Sequence, residues 1–276
     1  MFKNLRKTVL SLILIIIVFL FGSCSYFIPL TNNQQPQGTF SGEFYSFEEF
    51  NQLPIYISES YNIDNIETYN EILFSTKEHI IRTNVSITNK ISRGFTYETK
   101  NGSGFIFLED DTYYYAVTNY HVIDSDGHIS TYEIKTFEDE TYTSATLIAS
   151  NESLDLAVIR FIKNNREEVE LINITARLDY RFKSDELVFA IGNPLSLANS
   201  VSFGKFKRVT QIQNVDYFVI EHSAEIYSGS SGGALVDVDG NLIGVNTWGL
   251  EDDATVSFAI PNFVVYNFLL SEEIIE

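Results

Sequence analysis

The chain has 276 residues, 45% of them hydrophobic, so it carries enough apolar material for one substantial core or for two smaller cores packed together. Phenylalanine (22) and tyrosine (16) are abundant, and this composition favours strands over helices. A net charge of −19 repels nucleic acid and anionic lipid headgroups and so argues against both as partners, and a single cysteine excludes an intrachain disulfide.

The amino-terminal segment has the pattern of an export signal. A basic start, MFKNLRK, precedes an uncharged apolar stretch from Thr8 to Phe21, and small residues follow up to Cys24. This resembles a bacterial lipoprotein signal, in which residues 1–23 are removed and Cys24 is lipidated. Two alternatives stay open: an uncleaved membrane anchor, since the uncharged stretch continues to Leu30, and secretion after cleavage. All three predict that the rest of the chain is extracytoplasmic, and the first two keep it on the cell membrane.

The next segments predict a tether and an N-terminal extension. Residues 24–43 are polar and contain proline and glycine, which is typical of a flexible tether. Residues 44–79 form the extension. Its first part, Phe44 to Tyr69, is aromatic and acidic without a clear period, which predicts an irregular segment that docks on the domain or on a neighbouring subunit. From Glu67 to Ile81 the apolar residues show weak helical spacing.

Short apolar runs separated by turn signals recur after residue 80. Their number indicates an all-β fold, either a sandwich or barrels. The pair Asp239-Gly240 between two apolar runs predicts a β-hairpin. Residues 262–270 predict a C-terminal helix with Pro261 at its start. The predicted strands are Arg82–Thr88, Gly104–Leu108, Tyr113–Thr118, Ile129–Phe137, Thr143–Ala149, Leu156–Ile162, Leu187–Ile191, Ser200–Arg208, Tyr217–Glu221, Ala234–Asp237, Leu242–Thr247 and Thr255–Ile260.

Two adjacent serines, Ser230 and Ser231, lie in the glycine-rich sequence GSSGG. A serine hydroxyl is a weak nucleophile that needs a base within hydrogen-bond reach, and the base needs an acid to orient it. No histidine follows Ser231, which excludes the Ser–acid–His order of α/β-hydrolases and favours the order His–Asp–Ser. His121 ends one apolar strand and Asp155 opens another, where an unpaired acid would cost free energy.

The other three histidines are weaker candidates for the base. His79 lies in the weakly predicted helix, and His128 lies in an apparent turn. His222 is close to Ser231 in sequence, and we expect it at the surface rather than in a catalytic role. No cysteine or histidine cluster has metal-ligand spacing, so we expect no metal and no cofactor.

Six segments, in this order, resemble the trypsin-like serine proteases and within them most closely the HtrA (Deg) branch: GSGFIF, TNYHVI, DLAVIRF, AIGNP, GSSGGALVDVDGNLIGVNTWG and VSFAIPN. The resemblance extends from about Ile80 to Phe268. It implies an all-β, chymotrypsin-like fold of two six-stranded antiparallel β-barrels, with the active site in the cleft between them. The implied parts are a protease domain at 80–276, with barrel 1 at about 80–177, barrel 2 at about 178–260 and a C-terminal helix at about 262–270.

The resemblance also implies the roles of the residues that carry the chemistry. His121 would be the general base, Asp155 would fix its tautomer, and Ser231 would be the nucleophile. The oxyanion hole would be formed at Gly229, Ser230 and Ser231, with the backbone N–H groups of Gly229 and Ser231 as donors.

A substrate-binding set follows from the same resemblance. The edge that contains Trp248 would pair with an extended substrate as an added strand. Ile226 corresponds to an apolar wall residue of HtrA enzymes, which favour small aliphatic side chains at P1, so we expect Val, Ala or Leu there. The alternative is a basic P1 residue directed by Glu225. The set comprises Glu225, Ile226, Tyr227, Thr247, Trp248 and Gly249.

Some positions depart from the family pattern. Ser230 stands where HtrA proteins have Asn and secreted digestive enzymes have Asp, so no zymogen-type activation is expected. Ser228 and Tyr227 replace the usual Pro and Asn of the oxyanion loop. We expect no PDZ domain, and the resemblance leaves homo-oligomer formation open.

The sequence therefore predicts an exported serine endopeptidase, tethered at the membrane, that cleaves unfolded or extended polypeptides. Its partners would be protein or peptide substrates and the membrane. Two other functions stay open: a non-catalytic surface binding protein on the same fold, and a protease with one defined substrate. A pseudoprotease need not keep all three of His121, Asp155 and Ser231, which favours the enzyme.

Overall fold

Twelve antiparallel strands in two closed six-stranded barrels, followed by a helix, dominate the computed structural model, which confirms the predicted fold class. The model describes residues 45–58, 66–137, 141–163, 169–194, 199–213, 215–250 and 253–276. The first barrel consists of β1 (Asn84–Arg93), β2 (Thr96–Glu109), β3 (Tyr113–Thr118), β4 (Ser130–Lys135), β5 (Thr141–Asn151) and β6 (Leu156–Ile162). The second consists of β7 (Leu187–Gly192), β8 (Ser200–Gln211), β9 (Phe218–His222), β10 (Ala234–Val236), β11 (Leu242–Leu250) and β12 (Asp253–Pro261).

The second barrel repeats the connectivity of the first. The strand order around the first barrel is β1-β2-β3-β6-β5-β4, and β7 to β12 follow the same order around the second. Each barrel closes on a dense apolar interior, with Ile87 and Ile159 fully buried in the first and Val219 and Val245 in the second. Burial of these β-branched side chains on pleated strands supplies the main driving force for both barrels.

The described residues also form four helices: α1 (Phe47–Gln52), α2 (Ile66–Thr83), α3 (Tyr120–Ile123) and α4 (Asn262–Ser271). The helix α1 lies where the sequence predicted irregular structure. Its start is a capping box, in which the Ser46 hydroxyl accepts from the Glu49 N–H and the Glu49 carboxylate accepts from the Ser46 N–H. Among the described helices, none is long and apolar enough to cross a bilayer. Cys24 and the signal lie outside the described residues.

The N-terminal extension docks on the second barrel of its own chain. Phe50 in α1 is buried, and its ring lies 5.1–6.2 Å from the rings of Phe218, Phe182 and Phe263. Tyr45 adds an edge contact to Phe263. Of the two docking sites that the sequence left open, the structure therefore shows the one on the body of the domain.

A buried ion cluster fixes the extension, the start of the second barrel and the β10–β11 hairpin to one another. Arg177 is 1% exposed and donates to Glu186 at 2.6 Å and to Asp237 at 2.7 Å, both of which are also buried. The ring of Tyr56 covers the guanidinium at 4.1 Å, and the Tyr56 hydroxyl donates to Asp239 in the hairpin. One cation thus neutralises two carboxylates that are out of contact with water.

Replacing Arg177 by Ala is expected to lower the free energy of unfolding by about 3–5 kcal/mol, because two buried carboxylates lose their only cationic partner in the cluster. Urea denaturation of the parent and the variant measures this loss. The matched control is Arg208→Ala, which removes an exposed ion pair with Glu221 and should cost about 1 kcal/mol or less. Equal losses in the two variants would contradict the assignment.

Candidate active site

Two neighbouring strands of the first barrel bring His121 and Asp155 together. Strand β3 ends just before α3, which carries His121, and β6 begins just after Asp155, with Thr118 paired to Ala157. The His121 Nδ1 lies 2.9 Å from Asp155 Oδ2 and 3.0 Å from Oδ1, and the His121 backbone N–H donates to Oδ1. The carboxylate therefore holds the proton on Nδ1, which makes Nε2 the ring nitrogen that can accept a proton.

The backbone of Asp155 adopts a left-handed conformation, with φ at 54°. A non-glycine residue in this region carries strain of about 1–3 kcal/mol and persists only where its surroundings hold it. Here the Asn119 side chain donates to the Asp155 carbonyl at 2.9 Å, and the hydroxyl of buried Tyr217 donates to the Leu154 carbonyl at 2.9 Å. Burial, and after it the charge of Asp155, raises the pKa of Tyr217 well above its ordinary value, so this hydroxyl stays neutral beside the carboxylate.

Thr247 connects Ser231 of the second barrel to this pair. Its hydroxyl donates to Asp155 Oδ2 at 2.8 Å, and its carbonyl accepts from the Ser231 hydroxyl at 3.3 Å. The sequence placed Thr247 in the substrate-binding set only and missed its contact with the acid. The structure therefore brings the three predicted residues of the triad to one site, linked by Ser231–Thr247–Asp155–His121 contacts.

The loop around Ser231 leaves two backbone N–H groups for an anion. Ser230 donates to the Tyr227 carbonyl at 2.8 Å, Gly232 to Asn246 at 2.8 Å, and Gly233 to Ser230 at 3.0 Å. Within the described residues, no hydrogen bond involves the N–H groups of Gly229 or Ser231. The sequence placed the oxyanion hole at Gly229, Ser230 and Ser231. The structure corrects this for Ser230, whose N–H already donates to the Tyr227 carbonyl within the turn and is not available to an anion.

Glycine is required where this loop passes the first barrel. A Cβ on Gly232 would lie 2.2 Å from the Ser103 carbonyl oxygen and 2.3 Å from Thr118 Oγ1, and the residue has φ at 87°. A Cβ on Gly233 would lie 2.0 Å from the Ile191 carbonyl oxygen. The two glycines after the nucleophile therefore allow a backbone approach that no other residue permits.

Three of the six expected substrate-binding residues line a cavity, and Gly249 lies beside one of these three. Glu225, Ile226 and Tyr227 line a cavity of about 270 Å³ whose other wall comes from the end of β7 and the start of β8. Gly249 lies beside Ile226: a Cβ placed on Gly249 would lie 3.5 Å from the Ile226 side chain. Glu225 is exposed, and its carboxylate accepts from the Tyr227 hydroxyl at 2.7 Å.

Strand β11 extends beyond its shorter neighbour on one side. Strand β10 pairs only with Leu242–Val245, whereas β12 pairs with β11 as far as Leu250. The half-buried Trp248 lies in this longer part of β11. An extended peptide could pair with the edge of β11 that β10 leaves open.

The remaining histidines lie elsewhere. His79 in α2 contacts Glu170, and His128 lies in the turn after α3. His222 was expected at the surface, and this expectation was wrong: it is fully buried at the end of β9, between Phe206 of β8 and Ser257 of β12. Burial lowers the pKa of His222 to about 3, with a weak opposing contribution from the Ala224 backbone, so the ring is neutral near neutral pH.

A family model, the trypsin-like peptidase domain, matches residues 102–245, just over half of the chain. The matched region begins one residue before Ser103 and contains His121, Asp155 and Ser231. It therefore covers all three residues of the linked site described above.

Individual relatives agree with this match. The serine protease HTRA1 of Xenopus tropicalis is 34% identical over 175 residues, which are 61% of this chain and 35% of the relative. The serine protease HTRA1A of Danio rerio is 31% identical over 211 residues, 74% of this chain and 38% of the relative. A serine endoprotease from Yersinia pestis is similar in structure, with a TM-score of 0.55 and 26% identity over 72% of this chain and 66% of that one. The chain spans about a third of the length of these curated relatives.

The burial of His222 predicts acid sensitivity of the fold. The unfolded chain binds a proton near pH 6.5 and the folded chain only near pH 3, so stability falls as the pH drops between these values. From pH 7.5 to pH 5 this residue should remove about 2 kcal/mol. In His222→Met the loss between the two pH values, measured by urea denaturation, should be smaller by that amount. An unchanged pH dependence in the variant would contradict the neutral buried ring.

Proposed function

The chain belongs to the trypsin-like peptidase family, and on this premise we propose that it is a serine endopeptidase with His121, Asp155 and Ser231 as its triad. The observation that carries the proposal is the chain of contacts from the Ser231 hydroxyl through Thr247 to Asp155 and His121. These contacts join Ser231 and Thr247 of the second barrel to Asp155 and His121 of the first barrel. All four are polar residues, and their hydrogen bonds add nothing to the apolar packing of either barrel.

In the proposed reaction, the Ser231 hydroxyl oxygen attacks the carbonyl carbon of a peptide bond while His121 Nε2 takes the hydroxyl proton. The positive charge on the imidazole is stabilised by Asp155, which accepts from Nδ1 and remains ionised. His121 then gives the proton to the leaving amine as the C–N bond breaks and the acyl-enzyme ester forms. A water molecule, deprotonated by His121 in turn, hydrolyses the ester and regenerates the Ser231 hydroxyl.

The developing negative charge on the carbonyl oxygen is stabilised by the N–H groups of Gly229 and Ser231. This assignment is supported by the neighbouring N–H groups, which are not available: those of Ser230, Gly232 and Gly233 already donate to backbone carbonyls. In subtilisin, which has a different fold but the same kind of oxyanion hole, removal of one donor lowers kcat by about 10²–10³.

The proposed substrate is an unfolded or extended polypeptide. The part of β11 beyond Val245 offers an edge for pairing with an extended backbone, which a folded substrate cannot present. For the P1 side chain we favour small aliphatic residues, because Ile226 lines the cavity together with the apolar Ala190 and Val201. The alternative, a basic P1 residue, is disfavoured because the Glu225 carboxylate is exposed and bonded to Tyr227.

The proposed location is outside the cytoplasmic membrane, with the chain tethered through Cys24. This part of the proposal is supported by sequence alone: the basic start, the apolar stretch and the only cysteine at the expected cleavage site.

The first test is active-site labelling of a protein that starts near Gly42. The parent should react with a fluorophosphonate probe and cleave casein, whereas Ser231→Ala should do neither, with kcat lower by about 10⁶ by analogy with subtilisin. Circular dichroism of both proteins controls for folding. A folded parent that neither labels nor cleaves would refute the endopeptidase and favour the non-catalytic binding protein.

A peptide library measures the P1 preference. We expect Val, Ala or Leu at P1, because the neighbouring wall is apolar. Glu225→Gln should leave this preference unchanged. A dominant Arg or Lys preference that disappears in Glu225→Gln would instead assign the P1 pocket to the carboxylate.

Mass spectrometry of the mature amino terminus tests the location. We expect a chain that begins at Cys24 and carries added acyl mass, whereas Cys24→Ala should lack this mass. An intact Met1 on the mature protein would exclude the lipoprotein and favour the uncleaved anchor.

A further inference from the structure

Ser103 in strand β2 of the first barrel contacts the nucleophile loop of the second barrel at two points. Its backbone N–H donates to the Ser231 carbonyl at 2.8 Å, and its hydroxyl donates to the Gly229 carbonyl at 2.6 Å. The side chain is fully buried. These two carbonyls belong to the same two residues whose N–H groups are assigned to the oxyanion hole, so the contacts lie where a change in loop geometry would matter most.

The direction of the Ser103 hydroxyl proton is set by Asn193. A hydroxyl has one donor and two acceptor sites. Both acceptor sites of Ser103 are used by Asn193, through its backbone N–H at 2.8 Å and its Nδ2 at 3.1 Å. The only remaining partner is the Gly229 carbonyl, and the proton must therefore point at it.

The amide of Asn193 is itself held in one orientation by backbone groups. Its Oδ1 accepts from the Asn199 N–H at 3.0 Å, and its Nδ2 donates to the Val85 carbonyl at 3.0 Å. A flipped amide would face an N–H with a donor and a carbonyl with an acceptor. Asn193 thus presents donors, and not acceptors, to Ser103.

These contacts fix successive peptide planes of the loop. The Gly229–Ser230 plane is held by Ser103 at its carbonyl and by Tyr227 at its N–H. The Ser231–Gly232 plane is held by Ser103 at its carbonyl and by Asn246 at its N–H. The plane between them contains the Ser230 carbonyl and the Ser231 N–H, and this carbonyl accepts from the Gly233 N–H. The direction of the Ser231 N–H is therefore fixed by this bond and by the planes on either side.

We propose that Ser103 is a positioning residue for the oxyanion hole: its hydroxyl, oriented by Asn193, holds the loop so that the N–H groups of Gly229 and Ser231 converge on one oxygen. This inference rests on the proposed function. It assigns to the GSGF and AIGNP segments a task that the triad does not explain, namely holding the loop of one barrel against the wall of the other.

The test compares Ser103→Ala with Thr76→Val in the full chain. Thr76 is a matched control, because its buried hydroxyl also donates to a carbonyl at 2.6 Å, that of Val238, away from the nucleophile loop. Ser103→Ala should lower kcat about 10- to 100-fold with KM changed by less than about threefold, because the oxyanion forms only in the transition state. Thr76→Val should leave both constants within about threefold of the parent.

Two further readouts separate positioning from a general loss of structure. A peptidyl aldehyde, whose hemiacetal oxygen enters the oxyanion hole, should bind Ser103→Ala more weakly by the same factor as kcat/KM falls. Hydrogen exchange of the segment Tyr227–Gly233 should be faster in Ser103→Ala and unchanged in Thr76→Val. Asn193→Ala should change both readouts in the same direction, and the double variant should add little to Ser103→Ala.

The results that would overturn the positioning role of Ser103 are specific. A folded Ser103→Ala with kcat within threefold of the parent, or with a loss of activity but no faster exchange in the loop, would overturn it. If Ser103→Ala does not fold, Asn193→Ala is judged by the same criteria. If the parent itself is inactive, the proposed function fails, and hydrogen exchange in the loop alone then supports or refutes the positioning role.

Discussion

The 2.8 Å hydrogen bond from the Ser103 N–H to the Ser231 carbonyl joins the two barrels at the nucleophile. It requires a loop of the second barrel to approach a strand of the first so closely that Gly232 has no room for a Cβ beside the Ser103 carbonyl. The glycines are therefore a steric consequence of where the nucleophile must lie. Thr247, which accepts from the Ser231 hydroxyl within the second barrel, also donates to Asp155 of the first barrel, so a second contact crosses between the barrels at the same place.

Carboxylates removed wholly or partly from water are stabilised in two different ways in this molecule. Around Arg177, one guanidinium is matched to Glu186 and Asp237, and the cluster serves to fix the extension and the hairpin to the second barrel. Among the described residues, no arginine or lysine forms an ion pair with Asp155. Its carboxylate is satisfied by hydrogen bonds from the His121 N–H, the His121 ring and the Thr247 hydroxyl. An acid held by neutral donors can stabilise a charge that appears on the imidazole later, whereas an acid already paired with arginine cannot do so to the same extent.

Local patterns in the sequence predicted much of this architecture and failed at identifiable places. Short apolar runs between turn signals predicted the strands, because a strand that is covered in a barrel carries mostly apolar residues and ends at residues that favour turns. The helix α1 was missed although Ser46 and Glu49 form a capping box, since the segment is too short to show a helical period. The surface assignment of His222 was wrong because a strand end gives no sign of which residues cover it, and one of the two neighbouring strands, β12, is distant in sequence.

The sequence by itself determined the residue types of the site and their order along the chain, because these are properties of local pattern and spacing. The two-barrel fold was implied only by the resemblance of the six segments to a known family. Only the tertiary structure decided how the polar residues between those segments are used. Thr247 bonds to the acid, Ser103 and Asn193 hold the nucleophile loop, and the Ser230 N–H is bonded within the turn. The roles of Thr247, Ser103 and Asn193 depend on hydrogen bonds between residues far apart in sequence, whose partners are set by the closure and packing of the two barrels.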